Sequence, residues 1–196
     1  MEKLKLLRKQ KHYTQAQLAQ VFDTNQVIIA LYETGKRDPG HERLKEMAEF
    51  FHTTVDYLTD VSDTTYIPIL GTAAAGEGCF ADECVEGWEL YEVPGHMIGQ
   101  YYCLNVKGDS MYPHIQDGDL VICEKGNFNP IKNQVYVVLI GDNATLKMVD
   151  VQKGGILLNA YNQEVYRPHF YSNEDCQTEP IRIIGRVVET RRKNKI

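Results

Sequence analysis

The period of the hydrophobic pattern changes partway along this chain, and the change limits what each part can become. Up to about residue 58, apolar residues recur at three- and four-residue spacing, which lines one face of a helix. Leu4 and Leu7 open such a stripe over about 2–11; Leu18, Ala19 and Phe22 form a second; Leu44, Met47, Ala48 and Phe51 form another after Pro39. Thr14 followed by Gln17 matches a capping box, Asn25 suits the cap of a helix running to Glu33, and Gly35 suits its stop. A last helical turn or two is expected from Thr54 to Leu58. From Tyr101 onward β-branched and aromatic runs take over: YYCLNVK, DLVICEK, QVYVVLI, ATLKMV, ILLNA and IRIIGRVVE. Turn signals separate them at Asp117-Gly118, Gly126-Asn127, Gly141-Asp142-Asn143 and Gly154-Gly155. The expectation is two domains, an all-α five-helix head over 1–58 and a mainly-β body over 68–196. A polar stretch without periodicity, 59–67, reads as the linker between them.

Composition narrows the setting. No apolar run approaches the roughly 20 residues that a bilayer span needs. The N-terminal MEKLKLLRKQKHYTQ is too charged for a secretory signal. A cytoplasmic protein with no membrane partner is therefore expected. The cysteines, Cys79, Cys84, Cys103, Cys123 and Cys176, are odd in number and form no CxxC pair. They read as reduced thiols, and neither a metal site nor another cofactor is expected. The net charge of −6 falls wholly on the part after residue 60, because residues 1–60 balance their Lys and Arg against their Asp and Glu. A neutral head with its basic residues gathered before position 46, on an acidic body, is compatible with a nucleic-acid partner.

The second and third helices, joined by the short Asp23-Thr24-Asn25 break, form a helix-turn-helix unit. TQAQLAQVFDTNQVIIALYETGKRDP resembles the helix-turn-helix of the Cro/lambda-repressor class in its Thr-Gln opening, Leu18-Ala19, Ile29, Glu33 and Gly35-Lys36-Arg37. The resemblance implies that the third helix enters the major groove of operator DNA with its N-terminal residues toward the bases. Gln26 would then read a base, since a glutamine amide pairs bidentately with adenine. Asn25 starts that helix, Thr14 and Gln15 would meet phosphates or an outer base, and Lys36 and Arg37 would meet phosphates. The helix departs from the pattern in carrying Val27, Ile28, Ala30 and Leu31 where polar residues are usual. Val27 and Leu31 would lie on the groove face, touching thymine methyls or, alternatively, another protein.

Between head and body, IPILGTAAAGEGCFADE is a small-residue stretch able to lie extended in a narrow groove, or to serve as a plain flexible loop. In the body, Ser110 sits in a Gly-Asp-Ser-Met turn, and Lys147 stands alone in an apolar strand among Leu146, Met148 and Val149. Burial can lower a lysine to a pKa of about 5–6 and make it a base for a nearby hydroxyl. On residue chemistry alone, a turn serine and a lysine reaching solvent are the favoured reading.

KGDSMYP, then DGDLV, LKMV, LLNAYN and IIGRVV reproduce the order and rough spacing of the peptidase domain of LexA, the UmuD proteins and lambda-type repressors. The blocks span 107–188, and the Ala-Gly loop carries the likeness back to Pro68. This resemblance implies Ser110 as nucleophile, Lys147 as general base, and the backbone N–H groups of Ser110 and Met111 as oxyanion donors. It also implies Ala75-Gly76 as the scissile bond, within a cleavage loop at about 70–80. Met111, Asp117, Gly118 and Asp119 would shape the turn, and His96, His114 and His169 would have no catalytic role. The whole is the pattern of an autocatalytic serine peptidase attached to a repressor. It would bind double-stranded operator DNA as a homodimer through its C-terminal domain, and be cut under stimulation by a RecA filament in a DNA-damage response. One rival is a body that only dimerises or binds an antirepressor; another is a protease acting on other proteins.

Overall fold

The computed structural model describes residues 1–73, 85–94, 97, 99–141 and 143–192. They fall into two units, Met1–Ile67 with Glu89–Gly99, and Pro68–Trp88 with Gln100–Ile196.

The first unit holds five helices: α1 (Glu2–Gln10), α2 (Gln15–Val21), α3 (Gln26–Glu33), α4 (His41–Phe51) and α5 (Val55–Leu58). Their starts follow from side chains that satisfy backbone donors left over at a helix N-terminus. Thr14 Oγ1 accepts from Gln17 N–H while Gln17 Oε1 accepts from Thr14 N–H, completing the capping box. Asn25 Oδ1 accepts from Ile28 N–H, and Thr54 Oγ1 from Tyr57 N–H. Leu4, Leu18, Ile29, Met47, Phe51, Tyr57 and Leu58 bring the five stripes into one core. Under that core lies a charged network. Arg8 pairs with Glu33 and donates to the Tyr13 carbonyl, and Gln15 Nε2 donates to the same carboxylate at 2.9 Å.

The second unit is mainly β. In chain order the strands are β1 (Thr64–Ala73), β2 (Gly87–Glu92), β3 (Tyr101–Val106), β4 (Leu120–Lys125), β5 (Val135–Ile140), β6 (Asn143–Gln152), β7 (Gly155–Asn159), β8 (His169–Ser172) and β9 (Ile181–Arg191), with a short α6 (Asp175–Thr178) before β9. The described strands form one sheet in the order β2-β1-β3-β4-β9-β5-β6-β7-β8. β1 runs parallel to β3, and each neighbouring pair from β3 to β8 is antiparallel. The chain passes between the two units within β1 and again within β2. One core gathers Leu104, Val106, Met111, Ile115, Val121, Val137 and Leu146; a smaller one gathers Tyr136, Val138, Val149 and Leu158.

The six runs read as strands are β3, β4, β5, β6, β7 and β9. The 59–67 stretch differs from the expected linker, because β1 already begins at Thr64. Thr64 and Thr65 are β-branched, and Thr65 is buried with its hydroxyl 2.7 Å from that of Thr53, so polar composition concealed a strand. The boundary of the body differs too, since Glu89–Gly99 falls with the first unit. The expected cleavage loop begins inside β1, and its remainder, with Ala75 and Gly76, lies outside the described residues.

Candidate functional site

The turn that carries Ser110 leaves β3 after Val106 and returns to β4 at Leu120, and backbone bonds across its neck hold it shut. Val106 N–H donates to the Asp119 carbonyl at 2.8 Å and Gly118 N–H to the Val106 carbonyl at 2.9 Å. Gly108 sits at φ 91°, a left-handed conformation that suits glycine, and its N–H donates to Asp117 Oδ1. The buried Asp119 carboxylate accepts from Gln116 N–H. Outside the turn, Asn162 N–H donates to the Ser110 carbonyl at 3.0 Å and Asn162 Nδ2 to the Asp109 carbonyl at 3.2 Å. The serine is therefore clamped from both sides. Among the described residues, neither the Ser110 nor the Met111 N–H is taken by an acceptor.

Lys147 comes from β6, where it shares a face with Thr145 two residues earlier. The residue is 3% exposed. Its Nζ lies 3.3 Å from Ser110 Oγ, 2.8 Å from Thr145 Oγ1 and 2.9 Å from the Leu146 carbonyl oxygen. Burial pushes its ammonium down to about 8, with no charged neighbour contributing. The three oxygens match the three N–H groups of an ammonium, and the same geometry serves the neutral amine once a proton is lost. Two N–H bonds point to Thr145 and Leu146, and the remaining lone pair is left for the Ser110 hydroxyl proton. A cavity of about 100 Å³ opens beside the serine, lined by Ala73, Val106, Lys107, Gly108, Ser110, Met111, Thr145 and Leu146. Ala73 is the last residue of β1 and stands beside Val106 of β3, so that strand ends at the cavity.

Sequence reasoning paired Ser110 with Lys147 and missed Thr145, Asn162 and Tyr166, whose ring centroid lies 4.4 Å from Lys147 Nζ. Thr145 could have been found, because a hydroxyl at i−2 in a strand faces the same way as the lysine. Asn162 and Tyr166 come from a loop after β7, beyond the reach of local spacing. His114 and His169 pack on Tyr161 and Tyr171; Cys103 is buried, and Cys123 and Cys176 are free thiols. His96, Cys79 and Cys84 lie outside the described residues.

In the head, Gln26 and Val27 stand exposed at the first turn of α3, Val27 at 65%. Leu31 is partly exposed one turn on, while Ile29 and Tyr32 are buried in the core. Lys36 and Arg37 are exposed just past the helix. Thr14 and Asn25 spend their side-chain oxygens on caps. Gln15 Nε2 gives one N–H to Glu33, which leaves its second N–H and its carbonyl oxygen for outside partners.

Comparison with known proteins matches residues 68–188 to the Peptidase S24-like family and residues 4–58 to a helix-turn-helix family. The chain is 32% identical over 162 residues to a LexA repressor of Clostridium tetani, covering 81% of this chain and 72% of the relative. It is 34% identical over 128 residues to the LexA repressor of Leptospira interrogans, covering 63% of this chain and 58% of the relative. With the LexA repressor of Oleidesulfovibrio alaskensis it shares 34% identity over 129 residues, and the match spans 58% of that protein.

Proposed function

Because the chain belongs to the Peptidase S24-like family and carries a helix-turn-helix segment ahead of that domain, we propose that it is a DNA-binding repressor that inactivates itself by cutting its own chain. The observation that carries this reading is the buried Lys147 amine 3.3 Å from the Ser110 hydroxyl.

The neutral amine takes the Ser110 proton as Oγ attacks the Ala75 carbonyl carbon. The resulting oxyanion receives the N–H groups of Ser110 and Met111. The ammonium returns its proton to the Gly76 nitrogen as the C–N bond breaks, and water then hydrolyses the Ser110 ester. Ala73, two residues before the bond, lines the same cavity as Ser110, which supports delivery of the target by the chain itself.

Before the cut, two heads joined through their bodies meet a roughly palindromic operator. Linking raises the effective concentration of the second head once the first is bound. Gln26 and Val27 read bases, while Thr14, Gln15, Lys36 and Arg37 position the head on phosphates. Cleavage parts heads from bodies, and operator affinity falls. A RecA filament on single-stranded DNA is the proposed trigger.

The test incubates the full chain at alkaline pH, with and without RecA filaments, beside Ser110→Ala and Lys147→Ala. Fragments with a new N-terminus at Gly76, absent in both variants, are expected, at a first-order rate independent of protein concentration. Wild type left intact under both conditions would point to a body that only dimerises or binds an antirepressor.

A further inference from the structure

Among the described residues, Lys147 is buried without a carboxylate beside it. On its own strand and the turn it faces the hydroxyls of Thr145 and Ser110, and across β5 its register partner is Tyr136, whose hydroxyl is engaged with Ile131 N–H. The loop after β7 contributes Tyr166, with its ring centroid 4.4 Å from Nζ. Burial, then the neighbouring Tyr171, pushes the Tyr166 phenol up to about 12, so it stays neutral while Lys147 titrates.

In its neutral form the amine has a partner for each N–H and turns its lone pair to Ser110 Oγ. Once it takes the proton it carries a third N–H and a full charge, while Ser110 Oγ has become bonded to the acyl carbon. Water is excluded from a residue 3% exposed. Among the described residues, the face of the Tyr166 ring lies within reach of that charge. A carboxylate in the same place would hold the lysine as a permanent ammonium, useless as a base. A ring attracts the cation far more weakly, which leaves the lysine able to give up its proton and still supports it when charged.

We propose that Tyr166 is a positioning residue for the base, its ring seating the ammonium that forms when Lys147 accepts the Ser110 proton. The proposal rests on the reading of Ser110 and Lys147 as a reacting pair. Its effect is on the charged form of Lys147, so it can be read without cleavage.

The experiment titrates Lys147 in the full-length Ser110→Ala chain with carbon-13-labelled lysine side chains, the signal assigned by its loss in Lys147→Met. Tyr166→Phe keeps the ring and is expected to leave the titration midpoint in place. Tyr166→Leu, and Tyr166→Met as a second shape, remove the ring and are expected to lower the midpoint by about one pH unit. A midpoint that stays or rises in both Leu and Met variants overturns the proposal. With Ser110 restored, Tyr166→Leu is expected to cleave about tenfold more slowly at high pH, from the same cation–ring magnitude, and Tyr166→Phe to cleave like wild type. An intact wild type would remove the peptidase reading, while the titration would still decide whether the ring holds the cation.

Discussion

Each unit of this protein buries a charged side chain, and the two are treated in opposite ways. In the head, Glu33 is 6% exposed; burial pushes its carboxyl up, but Arg8 hydrogen bonds, the Gln15 amide and the Arg8 charge outweigh this and hold it below its ordinary value. The pair stays ionised and serves as a strut joining α1, α2 and α3. In the body, Lys147 is buried as deeply but receives hydroxyls and a carbonyl in place of a counterion, and its ammonium falls to about 8. A buried charge with a partner becomes structure. A buried charge without one gives up its proton more readily, and the fold bears the cost of keeping it.

That contrast breaks most visibly at Arg8. Arg8→Ala leaves the Glu33 carboxylate buried and unpaired and should destabilise the head by about 3–5 kcal/mol. Helical circular dichroism of the full chain should fall at lower urea, while fluorescence of the lone Trp88, which belongs to the second unit, should report an unshifted body transition. The pH dependence has a definite sign. Glu33 is lowered in the folded head, so its contribution is present above the ordinary carboxyl range and is lost as pH falls through the folded value. Arg8→Ala should abolish that acid sensitivity.

Lys147→Met should move the other way. The folded pKa of Lys147 lies below its unfolded one, so burying the lysine costs stability below about 8, and the cost fades as pH rises toward the unfolded value. Replacing it with an uncharged side chain of similar length should stabilise the body by about 2–3 kcal/mol at neutral pH and by little near pH ~10. Urea unfolding followed by Trp88 at both pH values checks this. Equal or lower stability at neutral pH would mean that Lys147 is compensated in the way Glu33 is.

Thr145→Val sharpens the comparison from inside the site. It removes one acceptor of the amine while keeping strand shape, and should slow cleavage about tenfold, the worth of about one hydrogen bond. Smallest is Val27→Ala on α3, which should weaken operator binding by about 1 kcal/mol through lost apolar contact. The loss should shrink when uracil replaces thymine in the half-sites, measured by fluorescence anisotropy on a selected operator.

How much of this was legible in the sequence follows the same physical divide. The five helices could be read because Leu4, Leu18, Ile29 and Met47 recur at helical period, and because Thr14 and Asn25 are caps with a local mechanism. β3, β4, β5, β6, β7 and β9 could be read from their β-branched runs. In β2 burial alternates residue by residue, but Trp88 and Leu90 stand on its exposed face, and β8 is a four-residue strand at the sheet edge. Neither has a buried apolar face to announce it. The Ser110–Lys147 pairing came from resemblance, since nothing local joins residues 37 apart. The Arg8–Glu33 strut, the Asn162 clamp and the Tyr166 ring were invisible for the same reason: each joins separate elements through a single side chain.

The central claim is that burial without a counterion makes Lys147 a neutral base for Ser110. The most direct test is the first-order rate of self-cleavage of the full chain, without RecA, from about pH 6 to about pH 10. The account predicts a rate that climbs with pH, reaches half its plateau near about 8, and is lost in Lys147→Ala. A rate that is flat or falling across that range, or that survives in Lys147→Ala, would contradict it.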